Sequence, residues 1–388
     1  MRLDIIVLLL IQAFMQMTVG QTLQDVNKLY DDLFVNYRKG VTPITNQSLP
    51  FEIEFAFYLQ SLTSFEEIKE KIALVAGIHM VWTDVSLSWD PNTYGGIKFI
   101  DIPSSDIWLP KVYLMNNAGK VSPIGEDQTF QVQVTSDGRV VFISGGIMKA
   151  KCPTDLSMFP FDTQTCTLSY QMWGVESLTY TFSTQEERVI ISNYIANSQW
   201  TLKSTQTCVD VSHGHMHKYK VTLILKREPV YYVAVVIVTC LIFCILNPLV
   251  FILKVESGER ISLSMTMLLS YVIFLTLVCN SIPASANPMC FLLVMMIIII
   301  AISGLIIVFA IVSVNYYFEE SCERTLIVRF IRNVIAAVTD DGKENSNHDN
   351  HQLMTGKELS SILDRTFLCL SYTLKCIVLG IYAIYVLA

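Results

Sequence analysis

Polar and apolar positions change their pattern once, sharply, along this chain. Between residues 21 and 228 the two kinds are interleaved. Phe51-Glu52-Ile53-Glu54-Phe55-Ala56-Phe57 alternates, and Val140-Val141-Phe142-Ile143-Ser144 is β-branched and nearly all apolar. A period of two marks a strand with one buried face. Turn signals separate such runs, at Asp90-Pro91-Asn92, Gly95-Gly96 and Ser136-Asp137-Gly138. Short strands punctuated in this way predict an all-β sandwich. A polar, helix-compatible stretch over 22–38 precedes them.

From residue 229 the polar half of the pattern disappears. Residues 229–253 carry no charge, and neither do 261–318. At ~1.5 Å rise per residue the first run is long enough to cross a bilayer. The second divides into two spans at Asn280-Ser281-Ile282-Pro283-Ala284-Ser285. A polar segment, 319–365, leads to a last apolar run over 366–388, in which Lys375 is the only charge. A charge there either snorkels or faces a partner. At the other end, Met1-Arg2, an apolar run and Thr18-Val19-Gly20 read as a secretory signal peptide. The expected organisation is therefore a signal peptide 1–20, an extracellular domain 21–228, three spans in 229–318, a short cytoplasmic loop 319–365 and a fourth span 366–388. With the N-terminus exported, four crossings put the C-terminus outside too.

Composition sharpens this. Hydrophobic residues make up 52% and charged residues 16% of 388, too apolar for an ordinary soluble protein. The net charge of −7 comes with no basic cluster suited to nucleic acid. Of ten cysteines, only Cys152, Cys166 and Cys208 precede the apolar half, and Asn46-Gln47-Ser48 is a glycosylation sequon. His213, His215 and His217 share one polar loop, either simply exposed or able to meet a metal or a proton. They form no complete metal set and have no nucleophile beside them, so neither an enzyme nor a cofactor is expected.

The second span differs from its neighbours. Ser262, Thr266, Leu269, Ile273, Thr276 and Asn280 follow steps of four and three, one stripe on a helix. A helix–helix interface would accept its hydroxyls. A water-filled pore would need them, with Leu269 and Ile273 as a constriction able to dewet. Glu259 stands just before the stripe. It is either one member of a carboxylate ring at the pore mouth or a favourable charge at a helix start.

The order of motifs resembles the Cys-loop, or pentameric ligand-gated, ion channel family, in its nicotinic acetylcholine receptor branch. The resemblance rests on Cys152 and Cys166 enclosing Phe159-Pro160-Phe161-Asp162; on Trp82-Thr83-Asp84, Trp89-Asp90-Pro91 and Trp108-Leu109-Pro110; and on Arg227-Glu228-Pro229 with Ser257-Gly258-Glu259-Arg260. It implies a β-sandwich with an N-terminal helix, a four-helix transmembrane bundle and a Cys152–Cys166 disulfide. It further implies that Phe159, Pro160 and Phe161 rest near Ile282 and Pro283, with Asp162, Arg227 and Glu67 as a charged group coupling ligand to gate. Glu259 implies selectivity for cations. The assembly implied is a homo- or hetero-pentamer in the plasma membrane bilayer, synaptic in relatives, opened by a small-molecule agonist such as acetylcholine or another amine.

The implied ligand site is incomplete. Trp173 matches the central tryptophan of an aromatic cage, whereas Met115 and Met216 stand where tyrosines are expected. Gly77 stands in the place of a tryptophan, and Cys208 has no vicinal partner. Two readings follow: a channel subunit gated by ligand, or a supporting or non-conducting partner of related subunits.

Overall fold

The structure, a computed structural model, describes residues 21–126, 130–173, 180–184, 188–212, 216–282, 289–319 and 355–387. The expected signal peptide, His213, His215, Pro283 and most of the expected cytoplasmic loop lie outside these residues. Two compact units are present, one of Met1–Thr154 with Thr163–Arg227, the other of Asp155–Asp162 with Glu228–Ala388.

The first unit opens with helix α1, Leu23–Phe34, which Thr22 and Asp25 cap reciprocally, each side chain receiving the other's backbone N–H. That satisfies donors the first turn cannot use. Ten strands follow. Six form one sheet in the order β3 (Phe99–Pro103), β5 (Gln131–Thr135), β6 (Arg139–Lys151), β2 (Lys71–Thr83), β1 (Phe51–Glu66), β8 (Tyr180–Ser183). Four form the other, ordered β4 (Val112–Leu114), β7 (Thr163–Met172), β10 (Met216–Arg227), β9 (Trp200–Ser212). The alternation in β1 buries Phe51, Ile53, Phe55 and Phe57. Phe55 reaches from one sheet to Tyr219 and Tyr170 of the other, with ring centroids 4.4 and 5.4 Å apart. Aromatic contacts between facing sheets are what a sandwich core requires.

The Ser136-Asp137-Gly138 signal closes the β5–β6 hairpin. Gly138 has φ +84°, and a Cβ there would stand 2.6 Å from the Asp84 carbonyl oxygen. Any other residue would collide with backbone. The Asp90-Pro91-Asn92 signal instead starts a short 3₁₀ turn, Pro91–Tyr94, capped by the Asp90 carboxylate.

Among the described residues the second unit holds four helices long and apolar enough to span a membrane: α2 (Val230–Ile252), α3 (Arg260–Cys279), α4 (Phe291–Tyr317) and α5 (Gly356–Leu387), whose spanning part is Gly356–Val386. α2 contains a π-helical turn over Val233–Ile237 and tightens to 3₁₀ at Asn247–Ile252, where Pro248 enters. α5 starts ten residues before the expected position 366. The apolar-run criterion stops at charges, but Leu359 and Leu363, four apart, are buried against Tyr316 and Phe367. Amphipathic packing thus carries the helix through Glu358, Asp364 and Arg365. Gly356 is required at its start, since a Cβ would lie 2.4 Å from the Tyr316 carbonyl oxygen and 2.3 Å from that of Glu319. Lys375 does not snorkel. It is buried, with its ammonium 5.8 Å from the centre of the Tyr271 ring.

Candidate functional site: aromatic face, stapled loop and helix stripe

In the sheet unit, β4 pairs with β7 through Val112–Met172 and Leu114–Tyr170, and the Met115 N–H continues the ladder to the Ser169 carbonyl at 2.8 Å. Alternation then buries Val112 and Leu114 and turns Tyr113 and Met115 outward. Trp173, at the end of β7, is 57% exposed and meets Tyr113 edge to face at 5.7 Å. Tyr113 is absent from the sequence-derived site, although its place between two buried residues could have pointed to it. An exposed indole beside a tyrosine suits a cation. The Tyr37 hydroxyl donates to the Asp84 carboxylate at 2.6 Å and accepts the Trp108 N–H at 2.9 Å. The two tryptophan motifs are thereby tied into one scaffold, and burial raises the Asp84 carboxyl above its ordinary range.

The rest of an aromatic cage is thin. Gly77 of β2 pairs with Gly145 of β6, leaving no side chain on either strand there. Cys208 is exposed and reduced, opposite Lys220. Met216 opens β10, with its side chain outside the described atoms. Asn46 of the sequon is exposed.

Cys152 and Cys166 are joined, their Cα atoms 5.1 Å apart. A loop of this length contributes ~3 kcal/mol by restricting the unfolded chain. Both cysteines belong to the sheet unit, whereas Asp155–Asp162 packs as part of the helical unit. Leu156 and Phe159 are buried in one cluster with Val236, Ile282, Cys290 and Leu292. Phe159 meets Tyr232 at 4.9 Å, and its carbonyl accepts the Tyr382 hydroxyl at 3.2 Å. The Phe291 N–H donates to the Ser157 carbonyl at 3.3 Å. The tip therefore rests on residues of α2, α4 and α5 as well as beside Ile282. Pro160 and Asp162 are buried, and Phe161 is partly so. In the sheet unit Arg227, 3% exposed, donates to Glu67 at 2.7 Å and stacks its guanidinium 4.3 Å from the Trp200 ring centre.

On α3, Ser262, Thr266, Leu269, Ile273 and Thr276 are all exposed, as is Asn280 at its C-cap. Arg260, Ser264, Tyr271 and Val278 are buried on the opposite side. Thr266 and Thr276 donate to the carbonyls of Ser262 and Val272, each at 2.9 Å. The hydroxyl protons are thus satisfied within the helix, and the oxygens keep lone pairs for outside contacts. Glu259, at the N-cap position, makes no capping bond and is exposed.

One feature eluded the sequence. Arg260, 4% exposed, donates to both oxygens of Asp364 at 2.9 and 2.7 Å and to the carbonyl of Leu253 at 2.6 Å. Ser313 donates to the same carboxylate at 2.5 Å. The pair joins the starts of α3 and α5 to the end of α4. Asp364 lies 104 residues from Arg260, and no local pattern announces so distant a partner.

A two-sheet sandwich with a stapled loop, followed by four spans, is the architecture of Cys-loop receptors. Residues 26–229 match the neurotransmitter-gated ion-channel ligand binding domain, and 236–369 match the neurotransmitter-gated ion-channel transmembrane region. The chain belongs to the neurotransmitter-gated ion-channel family, whose members are receptors and not enzymes. It is 30% identical over 294 residues to acetylcholine receptor subunit alpha-1-A of Xenopus laevis, covering 74% of this chain and 63% of that one. Against the human neuronal acetylcholine receptor subunit alpha-3 the identity is 27%, covering 72% of this chain and 56% of the relative. The alignments thus span less than two thirds of these relatives' length.

Proposed function

We propose that this chain is a pore-forming subunit of a pentameric, cation-selective channel opened by a small ligand at the extracellular sandwich. The observation that carries the reading is α3. Its hydroxyl-bearing stripe is exposed along its whole length while its other face packs into the chain's own bundle. Five such stripes around an axis would form a pore with Glu259 at one mouth and Leu269 and Ile273 at its waist. The stapled tip, with Phe159, Phe161, Asp162 and Pro283, and the Glu67–Arg227 pair would couple the sandwich to that pore. Plasma membrane residence with both termini outside is the reading that four crossings after an exported start support.

The test is whole-cell current from the chain expressed alone and beside related subunits, during cholinergic ligands and other amines. Reversal potentials are compared in sodium and chloride substitutions. Evoked current should follow sodium, and Glu259→Lys should abolish it or turn its reversal toward chloride. Chloride selectivity of the unaltered chain would overturn the assignment. Trp173→Ala should weaken activation by a cationic agonist about 2- to 30-fold, equivalent to ~0.5–2 kcal/mol. An unchanged concentration dependence would remove Trp173 from the site.

A second reading, a supporting subunit, is favoured by the Gly77–Gly145 pairing and by Met115 at the cage position. It predicts silence when the chain is alone and current beside a partner that supplies the missing aromatic residues.

A further inference from the structure

We propose that a chloride ion is held inside the helical unit, in the seam between α2 and α5, by Lys375, Asn247 and Ser371. Such a site goes beyond channel function and belongs to the helical unit alone. Each of the three side chains is 3% exposed or less, and their polar atoms make no hydrogen bond among the described residues. A buried ammonium is costly without a counter-charge. Buried polar groups without partners are few in native folds, so three in one seam point to a bound species that serves them together.

Local packing puts the three in that seam. Ser371 and Lys375 stand one turn apart on one face of α5. On α2, Cys240, Cys244 and Asn247 follow steps of four and three, and all are buried. The two stretches adjoin. Leu374 packs against the cluster of Val250 and Phe251, and Val378 packs both there and against the cluster holding Cys240 and Cys244. The Tyr372 hydroxyl donates across the seam to the Ile245 carbonyl at 2.9 Å.

The chemistry around Lys375 selects an anion. Asp364, the nearest acidic residue along α5, is eleven residues away, about 16 Å on a helix, and is already held by Arg260. Within electrostatic reach of the ammonium are the thiols of Cys240 and Cys244. The Cys244 sulfur accepts the Tyr271 hydroxyl at 3.6 Å. A thiolate there would balance Lys375 but leave Asn247 and Ser371 unserved. A water would serve those two but leave the charge unbalanced. A small anion answers both needs, because an ammonium, an amide and a hydroxyl together offer more donors than acceptors. Chloride, being spherical, accepts from several directions at once. Tyr271 lies on the buried side of α3, so the ion sits apart from the exposed stripe and is a fixed part of the bundle.

The test is size-exclusion melting of the full chain, purified in detergent and dialysed into sodium chloride, bromide or gluconate at one ionic strength. Chloride should raise the melting temperature by several degrees over gluconate, an anion too large to enter between packed helices. Bromide should replace chloride. Asn247→Leu and Ser371→Ala should each raise the chloride concentration that gives half of this rise about tenfold. Lys375→Met should melt alike in all three salts. Should Lys375→Met fail to fold, Asn247→Leu and Ser371→Ala decide the matter. Equal melting of the unaltered chain in chloride and gluconate would overturn the proposal and leave a thiolate or a neutral amine in its place. A chloride response that survives Lys375→Met, or that neither Asn247→Leu nor Ser371→Ala weakens, would overturn it as well.

Discussion

Replacing Leu269 by serine should hold the pore partly open without ligand. Leu269 is 60% exposed on the outer stripe of α3, one turn from Ile273 at 54%, with threonines above and below. Among the described residues, nothing in its own bundle covers this leucine, set among hydroxyls. In a ring of five it would form an apolar waist from which water withdraws. Hydrating one such side chain differs from keeping it dry by ~1.5–3 kcal/mol, so a ring sets on the order of 10 kcal/mol between dry and wet states. Even about 1 kcal/mol of that moves the opening equilibrium roughly fivefold. Leu269→Ser should therefore produce standing current and activation at lower agonist concentration, read by whole-cell recording with surface labelling alongside. Normal surface expression with unaltered resting and evoked current would show that the stripe is no constriction.

Arg260→Ala should destabilise the helical unit more than any surface change. Removing one partner of a buried ion pair costs ~3–5 kcal/mol, because the other charge stays behind unpaired. Here Asp364 would retain only neutral donors, and the carbonyls of Leu253 and Phe251 would lose theirs. Asp364→Ala should be comparably damaging. The pair Arg260→Met with Asp364→Leu should recover much of the loss, since apolar replacement of both partners is often neutral or better. Size-exclusion melting of detergent-solubilised protein would measure all three. Equal melting of Arg260→Ala and the unaltered chain would show that the pair contributes little.

Both effects bear on what a sequence discloses. The alternation from Phe51 to Phe57 and the uncharged runs were legible because strand faces and membrane spans are imposed locally, by period and by solvent. The α3 stripe was legible for the same reason, being periodic. Nothing around Arg260 announces its role, because its partner Asp364 lies 104 residues away. α5 starts ten residues before the apolar run, a stretch the run does not announce because Leu359 and Leu363 are buried only with Tyr316 and Phe367 beside them. Trp173 stood out as a tryptophan in a motif. Tyr113 needed the β4–β7 pairing to bring it beside the indole.

The division of the stapled loop has a consequence for biosynthesis. Its cysteines can join within the sheet unit, but the apolar seat of Phe159 is built from Tyr232, from the start of α4 and from Tyr382 near the chain's end. At ~5–20 residues per second of synthesis, that seat stays unfinished for many seconds after the tip itself is made. Until then a phenylalanine of the loop lacks part of its cover. An incomplete chain would thus carry an exposed apolar mark, legible to quality-control machinery, until the later spans are in place.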